Sequence, residues 1–460
     1  MDGLILSLLL LLQDPKDRLA EAIREAKLKE AEAALADLAA GDGAKAARAL
    51  ILLLPKARDR QAALLASTVA ARQAYDNTDT SFAFNIEEER LKQRTLAKGK
   101  ERIKESCRIA LEGEKIHAAM LATLRRLKEG AIPVLAAEAL RTGSWILKCE
   151  LLEGLGALGA REAVLAAIER EPEPAVLAAG LAAISTEKAL AHLGHPQWQV
   201  RLAAARALRE VPQAVGPVVD ALPAMDLRLR NSACAGLAAL TKTDLPADPA
   251  AWRDWWKANG EDFAAGRYAP QERKELKGPG RTTFYDVPVS SSRVCFLIDR
   301  SPSMKELNRF EAACRELKRL LEELPDGSRV NIIFFGGTTS LLSASPTRPL
   351  DRVTRRDALQ FVDRMGYESG TDLYGALEKA LALVGSPESG RLREEGPDTL
   401  IVLSDGVATV GRLVDDELVA RVIARRARYL RPVIHTISLT ADARSLKILS
   451  DLTGGEYKVK

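Results

Sequence analysis

Five oxygen-bearing side chains of the C-terminal sequence stand where apolar runs end or where a predicted helix begins. They are two carboxylates and three hydroxyls, namely Asp299, Ser301, Ser303, Thr371 and Asp405. A set of hard oxygen ligands with few full charges suits Mg²⁺, which keeps several of its waters. The sequence therefore predicts a Mg²⁺ site, with Mn²⁺ as the alternative ion. The lack of sulfur and imidazole in this set disfavours zinc and copper.

The elements around these residues decide whether they can meet. Residues 290–460 alternate amphipathic helical segments with apolar runs, and these runs are Val294–Ile298, Val330–Phe335, Thr399–Leu403 and Val433–Ser438. The alternation predicts an α/β fold with a doubly wound, mostly parallel, Rossmann-like sheet covered by helices on both faces. Because ligands bind at the carboxyl ends of the strands in such sheets, the polar residues that follow the runs are expected to form the site.

Three segments of this region resemble the metal-ion-dependent adhesion site of von Willebrand factor type A (VWA) domains. They are Leu297–Met304 (LIDRSPSM), Gly370–Tyr374 (GTDLY) and Leu403–Gly406 (LSDG). The five side chains of the family's motif all have a counterpart here, and the resemblance extends over residues 290–460, including the order of strands and helices. It implies a binding domain that recognises a protein partner through a divalent cation.

The resemblance also assigns a role to each residue of the predicted site. It implies that Ser301 and Ser303 ligate the cation directly and that Asp299 and Asp405 act directly or through waters. It implies that Thr371 changes between direct and water-mediated contact when a partner binds.

One residue in the first segment departs from the family's pattern. Pro302 stands between the two serines, where the family usually has glycine. Because the proline ring fixes φ near −65°, we expect it to stiffen the loop and to shift Ser303.

The sequence before this domain is typical of successive α-helices. Residues 15–130 form a predicted helical region, and residues 131–263 form a predicted all-α solenoid of HEAT-like repeats. The segments VRLAAARAL at 200–208 and LRNSACAGLAAL at 229–240 are self-similar and about 30 residues apart. Short helices that repeat at such a period bury their apolar faces by stacking on one another.

A tryptophan-rich helix and a linker are predicted between the solenoid and the C-terminal domain. Asp248 suits the N-cap and Pro249 the first position of a helix that carries three tryptophans on one face, Trp252, Trp255 and Trp256. We expect this face to cap the solenoid; an exposed recognition patch is the alternative. Residues 264–289 are predicted to be a linker followed by an edge strand.

The N-terminal residues 1–14 contain the apolar run Leu4–Leu12 (LILSLLLLL), whose nine residues are too few to span a bilayer. The length suits a signal-peptide core, although Asp2 stands where such peptides carry positive charge and no A-x-A follows the run. We expect export to the periplasm or the extracellular space, with the cytoplasm as the alternative. No other apolar run approaches a transmembrane segment in length.

Composition excludes several classes of function. Lys and Arg number 67 and Asp and Glu number 63, which gives a net charge of +4, and aromatic residues make up 5%. An evenly spread charge and few aromatics argue against nucleic-acid binding. The five cysteines are far apart and form no C-x-x-C pair, so we expect free thiols.

The sequence thus predicts metal-dependent protein recognition, in which the cation binds an Asp or Glu side chain of a partner and the solenoid offers a second docking surface. It lacks the P-loop, G-x-S-x-G and H-E-x-x-H motifs, so we expect no enzymatic activity. The alternatives are a scaffold whose VWA domain is structural and a regulatory subunit of a chelatase- or ATPase-type complex.

Overall fold

The computed structural model describes residues 14–78, 86–243, 245–269, 282–405, 408–440 and 443–460. The apolar run Leu4–Leu12 and the greater part of the predicted linker lie outside these residues. The chain divides into two compact units: residues up to 167 with 410–422 form the first, and residues 168–409 with 423–460 form the second. None of the described helices is long and apolar enough to cross a membrane.

The first unit is built mainly from helices. They are α1 (Pro15–Glu25), α2 (Leu28–Ala40), α3 (Gly43–Asp76), α4 (Ile86–Leu124), α5 (Ile132–Arg141), α6 (Trp145–Ala157) and α7 (Arg161–Ile168). Helices α3 and α4 pack along one another, and between them Gln61 Nε2 donates a hydrogen bond to Glu114 Oε2 over 3.1 Å. Residues 410–422 belong to this unit, where Lys115 Nζ lies 3.1 Å from a carboxylate oxygen of Glu417.

Five shorter helices open the second unit. They are α8 (Pro174–Ala183), α9 (Trp198–Ala207), α10 (Val215–Ala221), α11 (Leu227–Thr241) and α12 (Pro249–Ala264). The self-similar segments 200–208 and 229–240 fall on α9 and α11, and these two helices pack against each other. The region is therefore helical, while its assignment to HEAT-like repeats stays a prediction, since many helical arrays pack neighbouring short helices in this way.

Two tryptophans of α12 have defined packing partners, one before the helix and one on α10. Trp252 is fully buried and its indole N–H donates to Pro246 O over 3.0 Å. The Trp256 ring packs so closely on Gly216 of α10 that a Cβ at this glycine would lie 2.6 Å from Cζ2. Glycine at 216 therefore lets α12 cover α10 with an aromatic face.

The rest of the second unit alternates strands with helices. The strands are β1 (Thr283–Phe284), β2 (Val287–Pro288), β3 (Arg293–Asp299), β4 (Arg329–Phe335), β5 (Thr339–Leu341), β6 (Arg348–Pro349), β7 (Gly385–Ser386), β8 (Arg391–Leu392), β9 (Thr399–Ser404), β10 (Val433–Ser438) and β11 (Tyr457–Val459). The helices are α13 (Arg309–Glu323), α14 (Arg352–Asp363), α15 (Leu373–Val384), α16 (Asp416–Ala427) and α17 (Arg444–Thr453).

The main sheet has the order β11-β10-β9-β3-β4-β5, and β6 also pairs with β4. Strands β11, β10, β9, β3 and β4 run parallel, while β5 and β6 are antiparallel to β4. Residues such as Phe296 and Phe334 on one face pack with Leu317 of α13 in the core. The next residues along the strands, such as Leu297 and Phe335, are equally buried. Burial on both faces explains why these strands are continuously apolar in the sequence.

Residues 282–289 differ from the predicted edge strand. They fold back on themselves as the hairpin β1–β2 rather than joining the main sheet. Tyr285 and Asp286, the two turn residues, have φ values of 49° and 62°, which is the backbone of a tight two-residue turn. The two short strands therefore pair with each other and not with the main sheet. Phe284 packs edge-on against Phe296.

Candidate metal centre

The two predicted acidic ligands lie on neighbouring strands at the same edge of the sheet. Asp299 is the last residue of β3, and Asp405 directly follows β9. The strands are in register such that Ile298 pairs with Leu403. From β3 the chain proceeds to β4 on one side and later returns to β9 on the other. This is the point where strand order reverses, and doubly wound sheets bind ligands there.

Four of the five predicted site residues are joined by a chain of hydrogen bonds. The backbone N–H of Ser301 donates to Asp299 Oδ1 over 2.8 Å. The hydroxyl oxygens of Ser301 and Ser303 lie 3.0 Å apart, and Ser303 Oγ donates to Asp405 Oδ1 over 2.9 Å. Oxygen atoms from residues 102 positions apart in the chain are thus within contact distance of one another.

Thr371 reaches the same edge through a different loop. Gly370 before it has φ +78°, a left-handed backbone that favours glycine. The N–H of Thr371 donates to Thr409 Oγ1, and the N–H of Thr409 donates back to Thr371 O, both over 3.0 Å. The N–H of Gly337 donates to Ser369 O over 2.8 Å. Within the described residues, Thr371 hydrogen-bonds to Thr409 and not to the other four predicted residues.

The loop after β3 accommodates Pro302 without separating the two serines. Ser301 has an extended backbone with φ −63° and ψ 162°, which is the conformation that a following proline favours. Pro302 then opens a 3₁₀ turn, Pro302–Asn308, in which the N–H of Met304 donates to Ser301 O over 3.0 Å. A fixed φ at Pro302 is therefore compatible with the turn that presents both hydroxyls.

Burial gives the Asp299 carboxyl an unusual affinity for protons. Asp299 is 0% exposed, and this burial raises its pKa to about 6. The hydrogen bonds from the Ser404 hydroxyl, at 2.5 Å, and from Ser301 oppose the shift, while the negative charge of Asp405 adds to it. Because a nearby cation favours the ionised form of a carboxyl, positive charge at this edge would reverse much of the shift.

An arginine that the sequence analysis did not single out is the cation closest to Asp405. Arg309 Nη1 lies 3.2 Å from Asp405 Oδ2 and 3.3 Å from Glu306 Oε2. Ser404, which donates to Asp299, was also missed, although its place opposite Asp299 follows from the strand register. No sequence pattern predicts the Arg309 contact, because it depends on the path of the 3₁₀ turn before α13.

The side chains at this edge fit a small divalent cation by type and by spacing. Neighbouring ligands of an octahedral Mg²⁺ with bonds of 2.0–2.1 Å are about 2.9 Å apart, and the hydroxyl and carboxylate oxygens of Ser301, Ser303 and Asp405 are separated by 3.0 and 2.9 Å. In the part of the chain that the structure describes, no group of three or more His, Cys, Asp or Glu side chains forms a metal-binding cluster. A cation at this edge would therefore depend on hydroxyl ligands.

The domain that carries this edge matches a known family. The family model for the von Willebrand factor type A domain matches residues 294–407, which include Asp299, Thr371 and Asp405. Residues 294–407 form a VWA domain. VWA domains typically mediate interactions between proteins and often bind a divalent metal ion at the adhesion site.

Curated relatives resemble this part of the chain. A UPF0353 protein of Mycolicibacterium gilvum is 29% identical over 197 residues, and a UPF0353 protein of Mycobacterium sp. (strain KMS) is 30% identical over 201 residues. These matches cover 38% and 39% of this chain. The chain spans 58% of the length of each relative, which is less than two thirds.

Solved structures give similar matches. The structure described as von Willebrand factor type A from Catenulispora acidiphila is 19% identical, with a TM-score of 0.30, and the match covers 38% of this chain and 40% of that chain. Proximal thread matrix protein 1 from the mussel byssus, described with a zinc-occupied MIDAS (metal-ion-dependent adhesion site) motif, is 14% identical, with a TM-score of 0.27. That match covers 36% of this chain and 43% of the mussel chain.

Proposed function

We propose that the VWA domain binds a divalent cation, Mg²⁺ with Mn²⁺ as the alternative, and through it the acidic side chain of a protein partner. The observation that carries this proposal is the chain of hydrogen bonds from Asp299 through Ser301 and Ser303 to Asp405. It brings hard oxygens together where the strand order reverses, at the edge at which sheets of this type bind ligands.

In this proposal the protein's own residues do most of the positioning. Ser301, Ser303 and Asp405 hold oxygen ligands at the spacing that Mg²⁺ requires, Asp299 acts directly or through a water, and Thr371 stands at the rim. When bound, the cation supplies the positive charge that attracts a partner's carboxylate. The helical region offers a second docking surface, and two surfaces on one chain increase affinity when both engage one assembly.

We further propose that the chain is a binding protein and not an enzyme. The only chemistry that the proposed centre requires is ligand exchange at the cation. The sequence supports this view because it lacks the P-loop, nucleophile-elbow and H-E-x-x-H motifs.

Thermal unfolding of the full chain tests the cation site. Millimolar MgCl₂ is expected to raise the midpoint relative to a chelator in the wild type, because a ligand that binds only the folded state stabilises it. Ser303→Ala removes one exposed ligand oxygen, and Ser345→Ala changes an exposed serine outside the site. We expect the Mg²⁺ shift to persist in S345A and to disappear in S303A; equal shifts in both variants would refute the site.

Partner capture tests recognition. Proteins retained by the immobilised chain in Mg²⁺ and released by a chelator are identified, purified and re-tested with the wild type, S303A and S345A. We expect a purified partner to bind the wild type and S345A in Mg²⁺ alone, and to lose binding to S303A and after conversion of its acidic contact to an amide. Binding that survives both changes would contradict recognition through the cation.

One observation favours a second function, a scaffold whose VWA domain is structural. The ion pair between Arg309 and Asp405 already supplies a positive charge at the edge. If that pair alone stabilises the edge, Mg²⁺ has no effect on unfolding and partners bind through the helical region in the presence of a chelator.

A further inference from the structure

The loop beside the proposed cation site exposes a large apolar side chain. Leu307, in the 3₁₀ turn between β3 and α13, is 86% exposed. Within the part of the chain that the structure describes, it is the most exposed of the large apolar side chains. Single exposed apolar residues are common on protein surfaces, so the exposure of Leu307 matters here because of its place beside the proposed cation site.

The backbone at Leu307 is strained. Leu307 and Asn308 both have φ 53°, in the left-handed region. Asparagine tolerates this region, but a leucine there costs roughly 1–2 kcal/mol. Glycine or asparagine at position 307 would relieve the strain and remove the exposed apolar surface. Leucine is therefore unfavourable for the backbone conformation at this position.

Contacts on both sides hold this loop at the edge of the site. Glu306 pairs with Arg309 Nη1 at 3.3 Å, and the same nitrogen lies 3.2 Å from Asp405 Oδ2. On the other side, Lys305 Nζ lies 5.1 Å from the centre of the Tyr367 ring. The loop is thus tied to Asp405 and to the segment before Thr371, with Leu307 between the two attachments.

We propose that Leu307 is the apolar contact of the partner-binding surface, and that the partner presents an acidic residue to the cation and an apolar residue to Leu307. This inference rests on the proposed function. Leu307 is two residues from Arg309, which contacts Asp405. The Cα of Leu307 therefore lies about 10–15 Å from the site. An extended peptide covers that span in about three to four residues.

The occupant is a short segment of another protein and not a second copy of this chain. An exposed apolar contact alone would suit self-association, but the adjoining feature is a set of hard oxygens that needs a carboxylate to complete a cation's coordination. A segment with one acid and one apolar side chain, within about four residues of each other, matches both features at once.

Selection from a displayed library of short random peptides tests the inference. The immobilised full chain is panned in MgCl₂ and in chelator, with the wild type, Leu307→Asn and Leu307→Met. We expect Mg²⁺-dependent peptides on the wild type to carry an acidic residue with an apolar residue within about four positions. Peptides selected on L307N are expected to retain the acidic residue and to lose the apolar preference, while peptides selected on L307M are expected to keep both.

Synthetic peptides from the wild-type selection make the effect quantitative. They are expected to bind L307N roughly tenfold more weakly than the wild type or L307M, the effect of burying one apolar side chain in part. The melting temperature of L307N is expected to equal or exceed that of the wild type, because asparagine tolerates the left-handed backbone. A loss of stability in L307N would assign Leu307 a structural role and overturn the inference.

Three other outcomes contradict the inference in distinguishable ways. Acidic peptides without apolar preference on the wild type would refute the role of Leu307 and leave the cation site intact. The absence of any Mg²⁺-dependent peptide would refute the proposed function together with the inference. Sedimentation that reveals a wild-type dimer that L307N dissociates would assign the loop to self-association instead.

Discussion

The two ends of the parallel strands in the main sheet, the amino edge where the strands begin and the carboxyl edge where they end, differ in how buried charge is neutralised. At the amino edge, helices of residues 174–264 meet the starts of the strands through Arg228. Its guanidinium donates to Asp398 O over 2.5 Å and to Arg431 O over 2.9 Å, and it lies 4.7 Å from the centre of the Trp198 ring. At the carboxyl edge, the Asp299 and Asp405 carboxylates and two serine hydroxyls lie close together, and Arg309 pairs with Asp405.

One buried acidic residue at each edge has a shifted pKa, and the two shifts have opposite signs. Burial would raise the pKa of Asp226 at the amino edge, but the N–H of Leu229 and the nearby Arg201 and Arg293 lower it overall. Burial raises the pKa of Asp299 to about 6, and Asp405 adds to the shift. Asp226 is therefore paired with positive charge within the chain, whereas the carboxyl edge gains by taking up positive charge. Burial, together with Arg293 and Arg431, lowers the pKa of Arg228, so the positive charges of the amino edge also repel one another.

The largest effect is expected from breaking the amino edge. Arg228→Ala removes two hydrogen bonds to backbone carbonyls and the contact with Trp198, and it leaves buried groups unpaired. We expect a loss of about 3 kcal/mol of stability, measured by urea unfolding followed by circular dichroism. Arg253→Ala, an exposed arginine of α12, is the control and is expected to stay within about 0.5 kcal/mol of the wild type. Equal effects would mean that the amino edge is not a structural junction.

Asp299→Asn is expected to stabilise the cation-free chain. The folded pKa of Asp299 is raised from its ordinary 3.8 to about 6, so as pH rises through this window the unfolded state releases a proton that the folded state keeps. Stability from this group is therefore lost between about pH 4 and 6. In chelator, D299N and the wild type should be equally stable below that window and differ above it by on the order of 3 kcal/mol. A stability difference between D299N and the wild type that does not change with pH would contradict the raised pKa of Asp299.

Asp226→Asn should have the opposite dependence on pH. Because the folded pKa of Asp226 is lowered from 3.8, its charge stabilises the fold above that value, and the contribution is lost as pH falls through the folded pKa. We expect D226N to lose about 2 kcal/mol at neutral pH, since it weakens the contacts with Arg201 and Arg293. The difference from the wild type should narrow in acid. A deficit that stays constant with pH would indicate packing rather than charge.

Removing the arginine of the carboxyl edge should strengthen cation binding. Arg309→Gln takes away the positive charge 3.2 Å from Asp405, so the site becomes more negative. We expect a several-fold increase in Mg²⁺ affinity, equivalent to about 1 kcal/mol, measured by calorimetry, and a smaller change in the charge-preserving variant Arg309→Lys. Weaker binding in R309Q would mean that the arginine positions Asp405 for the cation.

The sequence predicted the sheet domain well because its signals are local. The apolar runs at 330–335, 399–403 and 433–438 correspond closely to β4, β9 and β10. A parallel sheet places the residues that follow its strands at the carboxyl ends, so Asp299 and Asp405 were expected at the same edge. These predictions needed no knowledge of distant contacts.

The features that the sequence did not predict depend on tertiary structure. Leu307 is an ordinary apolar residue in the sequence, and only the path of the 3₁₀ turn exposes it. The contact of Arg309 with Asp405 joins residues 96 positions apart. The hairpin at 283–288 formed where an edge strand was predicted, because two left-handed residues turn the chain back on itself.

Isothermal titration of MgCl₂ into the cation-free full chain at neutral pH tests whether the carboxyl edge binds a divalent cation. We expect one saturable binding event in the wild type and its loss in Asp405→Asn, which keeps the size of the side chain and one oxygen but replaces the other oxygen with NH₂ and removes the charge. Folding of the variant is verified by circular dichroism. Absence of binding in the wild type, or undiminished binding in D405N, would contradict the assignment of this edge as a cation site.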